Sequence, residues 1–162
     1  MIRVAGLRRK ARPRGACERR QDSPMEDLEI RYAKRRDLPW LVDHDDEMSE
    51  EYLLKKIDDG QLILLLEDND YTGWLRFGYF WDCIPFLNLI MLEEHAWGRG
   101  LGTRLMLFWE EDMRAQGFDQ VMTSTLADEE AQHFYRKLGY QDSGAILLPG
   151  EILEIVFVKA LI

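Results

Sequence analysis

The stretch His95–Leu105 reads HAWGRGLGTRL and carries glycine at positions 98, 100 and 102. Glycine is unfavourable inside helices and strands alike, so three in five positions need a reason. An apolar strand-like run, IPFLNLIML, leads into them, and a helix-like run, LGTRLMLFWEEDMRAQ, leads out. This is an anion-binding arrangement. First-turn N–H groups of a helix lack intrahelical partners and carry partial positive charge, and absent side chains let a phosphate approach the backbone. The spacing excludes the dinucleotide fingerprint, whose glycines follow the first strand of a βαβ unit, and the P-loop, which needs Gly-Lys-Ser/Thr. A tight strand-to-helix turn is the alternative reading.

Such a loop has to be held by a framework, and the apolar periods predict one. LEIRYA is a first strand with Ile30 and Tyr32 on one face. Asp37 before Leu38-Pro39 signals a helix start, with Trp40, Leu41 and His44 following, and Ser49 caps a second helix that ends at Gly60. QLILLLE and YTGWLRFGYFW form a hairpin around the turn DND, and IPFLNLIML is the next strand. After the glycines, Leu101, Leu105, Phe108, Trp109 and Met113 recur at helical spacing. DQVMTSTL is a strand, DEEAQHFYRK a helix with Ala131, Phe134, Tyr135 and Leu138 on one stripe, and YQDSGAILL and EILEIVFVKAL are two final strands. The order β-α-α-β-β-β-α-β-α-β-β is a mixed α/β (α+β) domain, expected over residues 25–162.

At 46% hydrophobic and 31% charged residues, the composition is that of an ordinary soluble protein. No apolar run approaches the roughly 20 residues of a membrane helix. Two cysteines, Cys17 and Cys83, make neither a disulfide framework nor a metal spacing, so a cytoplasmic protein without a metal is expected. The net charge of −9 is uneven: residues 1–24 hold eight Lys/Arg against two acids, leaving 13 basic and 28 acidic side chains to the other 138 residues. That basic segment reads as an over-called start ahead of Met25, a disordered tail, or a targeting or nucleic-acid arm. The acidic remainder argues against nucleic acid. The strand EILEIVFVKAL is able to pair across a homodimer.

A second segment sharpens the first. Asp128-x-x-Ala131-x-x-Phe134-Tyr135-x-x-x-Gly139-Tyr140 resembles the N-x-x-A-x-x-F-Y-x-x-x-G-F segment of the GNAT family of N-acetyltransferases. Trp97-Gly98-Arg99-Gly100-Leu101-Gly102 is similar to that family's loop for the pyrophosphate of acyl-coenzyme A, and Gly73 matches a glycine the family often keeps near the start of its third strand. The resemblance covers everything but the basic tail. It implies a mostly antiparallel central sheet flanked by helices, and transfer of an acetyl group from acetyl-CoA to an amine in a ternary complex. A non-catalytic acyl-CoA-binding module is the alternative. Trp97 stands where Gln or Arg is usual, so its usual polar contact is not expected. Asp128 stands where Asn is commoner, and capping of the following helix is its simpler role.

The resemblance also implies roles for single residues. Leu92, Trp97, Gly98, Arg99, Gly100, Leu101, Gly102, Thr103, Asp128 and Tyr135 are the implied cofactor-binding set. The pantetheine arm would enter a gap between the strand ending at Leu92 and the strand ending at Leu126, with an N–H near Leu92 as oxyanion donor. Tyr135 matches the position that protonates the departing thiolate. An ordinary phenol (pKa near 10) facing a thiol (near 8.5) makes that transfer uphill by roughly 2 kcal/mol, so hydrogen bonding is the alternative, and packing is a third. Among Glu93, Glu94 and His95, Glu93 is the preferred base, sharing a strand face with Leu87, Leu89 and Met91. His133 is expected on the outer side of its helix. The acids Asp43, Asp45, Asp46, Glu47, Glu50, Glu51 and Asp58, with Trp40, Trp74, Tyr79 and Trp81, point to a small cationic amine or a protein amino group as acceptor. Helix-dipole and solubility reasons also gather acids at helix starts.

Overall fold

Period-two alternation puts Leu28, Ile30 and Tyr32 of β1 (Leu28–Tyr32) against one core, and from there the chain builds a seven-stranded sheet. The computed structural model describes residues 27–161; the basic segment, Met25 and Cys17 lie outside the described residues. The further strands are β2 (Leu62–Glu67), β3 (Asp70–Phe80), β4 (Ile84–Leu92), β5 (Gln120–Leu126), β6 (Gln141–Ile146) and β7 (Glu154–Ala160). Their order is β1-β2-β3-β4-β5-β7-β6. Every neighbouring pair is antiparallel except β4–β5, so the expected mixed, mostly antiparallel sheet is present. The β2–β3 turn is made by Asp68 and Asn69 at φ of 50° and 70°, the left-handed geometry that suits a tight hairpin.

Helices cover both faces. α1 (Leu38–His44) and α2 (Glu50–Asp58) bury Leu41, Leu53 and Ile57 against Leu62, Leu64, Leu66, Trp74 and Leu89. On the opposite face, α3 (Leu101–Ala115) and α4 (Ala131–Lys137) bury Leu105, Trp109, Met113 and Tyr135 against Ile63, Leu75, Phe77 and Phe157. Among the described residues, no helix is long and apolar enough to cross a membrane.

Two polar devices tie α1 to the sheet. Asp37 stands ahead of Leu38-Pro39 as expected of a helix start, yet its buried carboxylate makes no cap bond. Instead it accepts from both terminal nitrogens of Arg31, the Lys34 N–H and the Tyr71 hydroxyl. Burial pushes this carboxyl up, but those donors outweigh it and hold the pKa at about 2. After α1, Asp45 turns inward, 2% exposed, to meet Nε of Arg76 at 2.8 Å while Glu47 takes the other end of the guanidinium.

The sheet is irregular where it matters. Phe77 pairs with Leu87 but Arg76 with Leu89, which leaves Asn88 as an extra residue in β4. The bulge reverses the faces: Leu87 joins the α3/α4 core, while Leu89 and Met91 join the α1/α2 core. The expectation that Glu93 shares a face with all three is therefore corrected. It follows Leu89 and Met91, and Leu87 lies opposite. A second correction concerns α4, which begins at Ala131 with Glu130 as its N-terminal flank and no side-chain cap, so Asp128 does not cap it.

Candidate active site at the splayed strands

Gly98 and Gly100 adopt φ of +73° and +81°, a left-handed backbone that a side chain would strain, and a Cβ on either would point into open space. They turn the chain abruptly from the short helical turn Glu94–Ala96 into α3. Gly102 differs. It lies within α3, and its added Cβ would rest on Leu92 and the Phe134 ring at 3.5 and 3.6 Å, so its smallness lets the helix start settle between β4 and α4. The first intrahelical bond seen at this end runs from the Arg104 N–H to the Gly100 carbonyl, and no side chain caps the helix. The N–H groups of Leu101, Gly102 and Thr103 thus open onto the space beside the glycines. Arg99 clamps the loop to the sheet through both oxygens of Glu67, at 2.6 and 2.9 Å.

Beside this loop the sheet comes apart. β4 and β5 pair only at Phe86–Met122 and Leu87–Thr123. Beyond the Asn88 bulge, residues 88–92 and 124–126 diverge. The Glu93 N–H donates to the Thr72 carbonyl on β3. Successive strand N–H groups alternate sides, so the Leu92 N–H points the other way, into the gap. The Leu92 carbonyl accepts the indole N–H of Trp97 at 2.8 Å. Trp97, which lacks the polar contact usual for Gln or Arg at this position, supports the end of β4 through its indole N–H.

Tyr135 lies beside Thr123, where the β4–β5 pairing ends. It is 1% exposed, packed against Phe134, Tyr140 and Phe157. Burial pushes its phenol well above the ordinary value, and the neighbouring Thr123 side chain opposes this only in part. Thr123 is one of the two β5 residues still paired with β4. Its importance was not legible beforehand, though the run Thr123-Ser124-Thr125, all buried, is unusual for a core strand. Asp128, Glu94, His95 and His133 are exposed.

On the α1/α2 side of the same strand end, four rings gather: Trp40 stacks with His44 (4.1 Å) and with Tyr71 (4.6 Å), and meets Trp74 edge-on. Glu93 Oε1 lies 3.8 Å from His44 Nε2. The structure does not bring the other two expected aromatics here. Tyr79 contacts Phe77 and Phe118, and Trp81, 78% exposed, sits in the β3–β4 turn with Phe80. Nor are all seven acids available. Asp45 and Glu47 pair with Arg76, and Asp58 with Arg35, whereas Asp43, Asp46, Glu50 and Glu51 are exposed. Tyr71 was missed as a site residue because only tertiary packing brings it to Trp40, and His44, one helical turn after Trp40, was missed because only tertiary packing brings it to Glu93.

Comparison with known proteins agrees with this geometry. The family model described as the acetyltransferase (GNAT) family matches residues 23–140. A GNAT-family acetyltransferase from Bacillus cereus is 24% identical, with a TM-score of 0.67 over 82% of this chain and 96% of its own. The ribosomal-protein-S18-alanine N-acetyltransferase from Escherichia coli superposes at a TM-score of 0.70 with 16% identity, over 83% and 94% of the two chains. An aminoglycoside 6'-N-acetyltransferase complexed with coenzyme A does so at 0.69 with 16% identity, over 83% and 97%. No curated protein sequence matches the chain.

Proposed function

Because the chain belongs to the acetyltransferase (GNAT) family, we propose that residues 25–162 form an enzyme moving an acetyl group from acetyl-CoA to a primary amine, by direct attack in a ternary complex. The observation that carries this reading is the β4–β5 gap ending beside an uncapped α3 and two left-handed glycines. The free N–H groups of Leu101, Gly102 and Thr103, with the open backbone at Gly98 and Gly100, suit the pyrophosphate of coenzyme A. The unpaired edge of β4 suits the amide-bearing pantetheine arm, which can pair there as a strand would. When bound, the thioester supplies an acetyl group activated for transfer.

The chain's own groups then have separable tasks. The Leu92 N–H, aimed into the gap, donates to the oxygen on which negative charge develops. Tyr135 donates its hydroxyl proton in a hydrogen bond toward the departing sulfur. Its raised pKa makes complete transfer harder than for a free phenol, so stabilisation of the thiolate is its role. Glu93 places negative charge where the acceptor ammonium arrives. A small cationic amine or a protein amino group fits this side, with Asp43, Asp46, Glu50 and Glu51 adding to the attraction.

The full-length protein should melt several degrees higher with acetyl-CoA at about 100 times its dissociation constant, since that occupancy adds about 2.7 kcal/mol at roughly 2–4 °C per kcal/mol. Offered lysine, spermidine, an aminoglycoside or a peptide amine, it should release free thiol with at least one of them. No melting shift would remove the cofactor reading. A shift without thiol release from any amine would make the protein a binding module. Tyr135→Phe should lower turnover on the order of 100-fold while the acetyl-CoA melting shift stays unchanged. Unchanged turnover would place Tyr135 in the core alone.

A further inference from the structure

His44 closes α1 with its Nδ1 2.7 Å from the Trp40 carbonyl oxygen. A carbonyl can only accept, so Nδ1 carries a hydrogen, and in the neutral ring the lone pair is then on Nε2. That nitrogen faces Oε1 of Glu93 at 3.8 Å. The ring is stacked on Trp40 at 19° and bordered by the edge of Trp74, which restricts its rotamer. Both partners remain about one-third exposed, at 35% and 36%, so a substrate can reach them. Glu93 directly follows Leu92, whose N–H enters the gap.

The other polar groups around the imidazole are already engaged or turned away. Asp45 is held by Arg76 and the Trp74 indole, and the Tyr71 hydroxyl donates to Asp37. Asp43 is exposed beside it in the chain. Glu93, from the end of β4, is thus the carboxylate facing the open nitrogen.

The geometry points to His44, oriented by the Trp40 carbonyl and ring, as the group that takes the proton from the incoming ammonium, with Glu93 as the residue that offsets its charge. This rests on the acetyl-transfer reading. An ammonium has no lone pair to attack with. One proton passes from the amine nitrogen to Nε2, freeing the pair that forms the new C–N bond as the C–S bond breaks. The nitrogen's second surplus proton ends on the thiolate, and His44 returns the first to water, so each turnover releases one proton. A carboxylate alone is poorly matched to this task, because its ordinary pKa near 4 lies far below that of an ammonium, whereas an ordinary imidazole lies near neutrality. The Trp40 carbonyl holds Nδ1 where a hydrolase triad has its carboxylate, and Glu93, facing Nε2, offsets the charge of the imidazolium as it forms.

The test compares wild-type protein with His44→Gln and His44→Phe, the latter keeping a ring on Trp40. Thiol release is followed from pH 6 to pH 10 with the best amine of the panel, alongside the acetyl-CoA melting shift. Both variants should retain the shift and lose about 100-fold in turnover at pH 7. The deficit should shrink as pH approaches the amine's own pKa, where the acceptor arrives already deprotonated. Glu93→Gln should show a smaller loss with the same convergence. Variants that match the wild type at pH 7, or that lose the same factor at every pH, would overturn the assignment. Failure of the acetyl-transfer reading looks different: the wild type itself would release no thiol at any pH.

Discussion

Gly73→Ala is expected to abolish most acetyl transfer and to destabilise the protein, although it adds a single methyl group. The added Cβ would lie 2.4 Å from Cδ2 of Leu92 and 2.7 Å from the backbone oxygen of Met91. A side-chain end can rotate away; a backbone carbonyl in a paired strand cannot. Gly73 and Leu92 are directly opposite and Leu92 sends its N–H elsewhere, so they form a non-hydrogen-bonded pair, the closer of the two kinds. Relief requires the end of β4 to move off β3, carrying the Leu92 N–H out of position and breaking the Glu93–Thr72 bond. Overpacking of this kind costs about 1–3 kcal/mol. A displaced oxyanion donor alone costs about 100-fold in turnover. Calorimetry and the thiol assay read both. Wild-type turnover with an unchanged melting point would show that β4 is freer than its pairing implies, and would detach the Leu92 N–H from the mechanism.

The second large effect lies beneath the acceptor side. Asp45→Ala removes the buried partner of Arg76, whose side chain is 8% exposed, and leaves Glu47 as its remaining counter-charge. Breaking one side of a buried pair costs about 3 kcal/mol, or a melting point lower by roughly 6–12 °C for a protein this size. Asp45 also accepts from the Trp74 indole and the Glu47 N–H, so α1 loses its grip on β3 and His44 its alignment. Activity should fall alongside stability. Arg76→Met in the same chain should recover part of the loss, because the stranded charge is then gone. A double variant no more stable than Asp45→Ala would mean that the cost comes from the lost indole and backbone bonds.

Several parts of the site were legible from residue order because their causes are local. Left-handed glycines and a buried aromatic stripe leave their mark within a few positions, which is how Gly98, Gly100 and the packing of Tyr135 were read, whereas Gly73 and the role of Tyr135 came from the family resemblance. The Asn88 bulge left no such mark, since an extra residue is defined only against the partner strand. Missing it put Leu87 and Glu93 on the same face. The charge argument narrows for a similar reason: seven acids look alike in a sequence, but three are already paired with Arg76 and Arg35, leaving Asp43, Asp46, Glu50 and Glu51.

From the sequence alone follow the element order, the glycine loop opening α3, and the family resemblance, because each rests on short-range periodicity or spacing. Tertiary structure alone decided where β4 leaves β5, which way the Leu92 N–H points, and that His44 stands against Glu93. Those facts join residues 44 with 93, 72 with 93, and 87 with 123. They depend on register and packing between elements distant in the chain, and no local pattern of residue types specifies them.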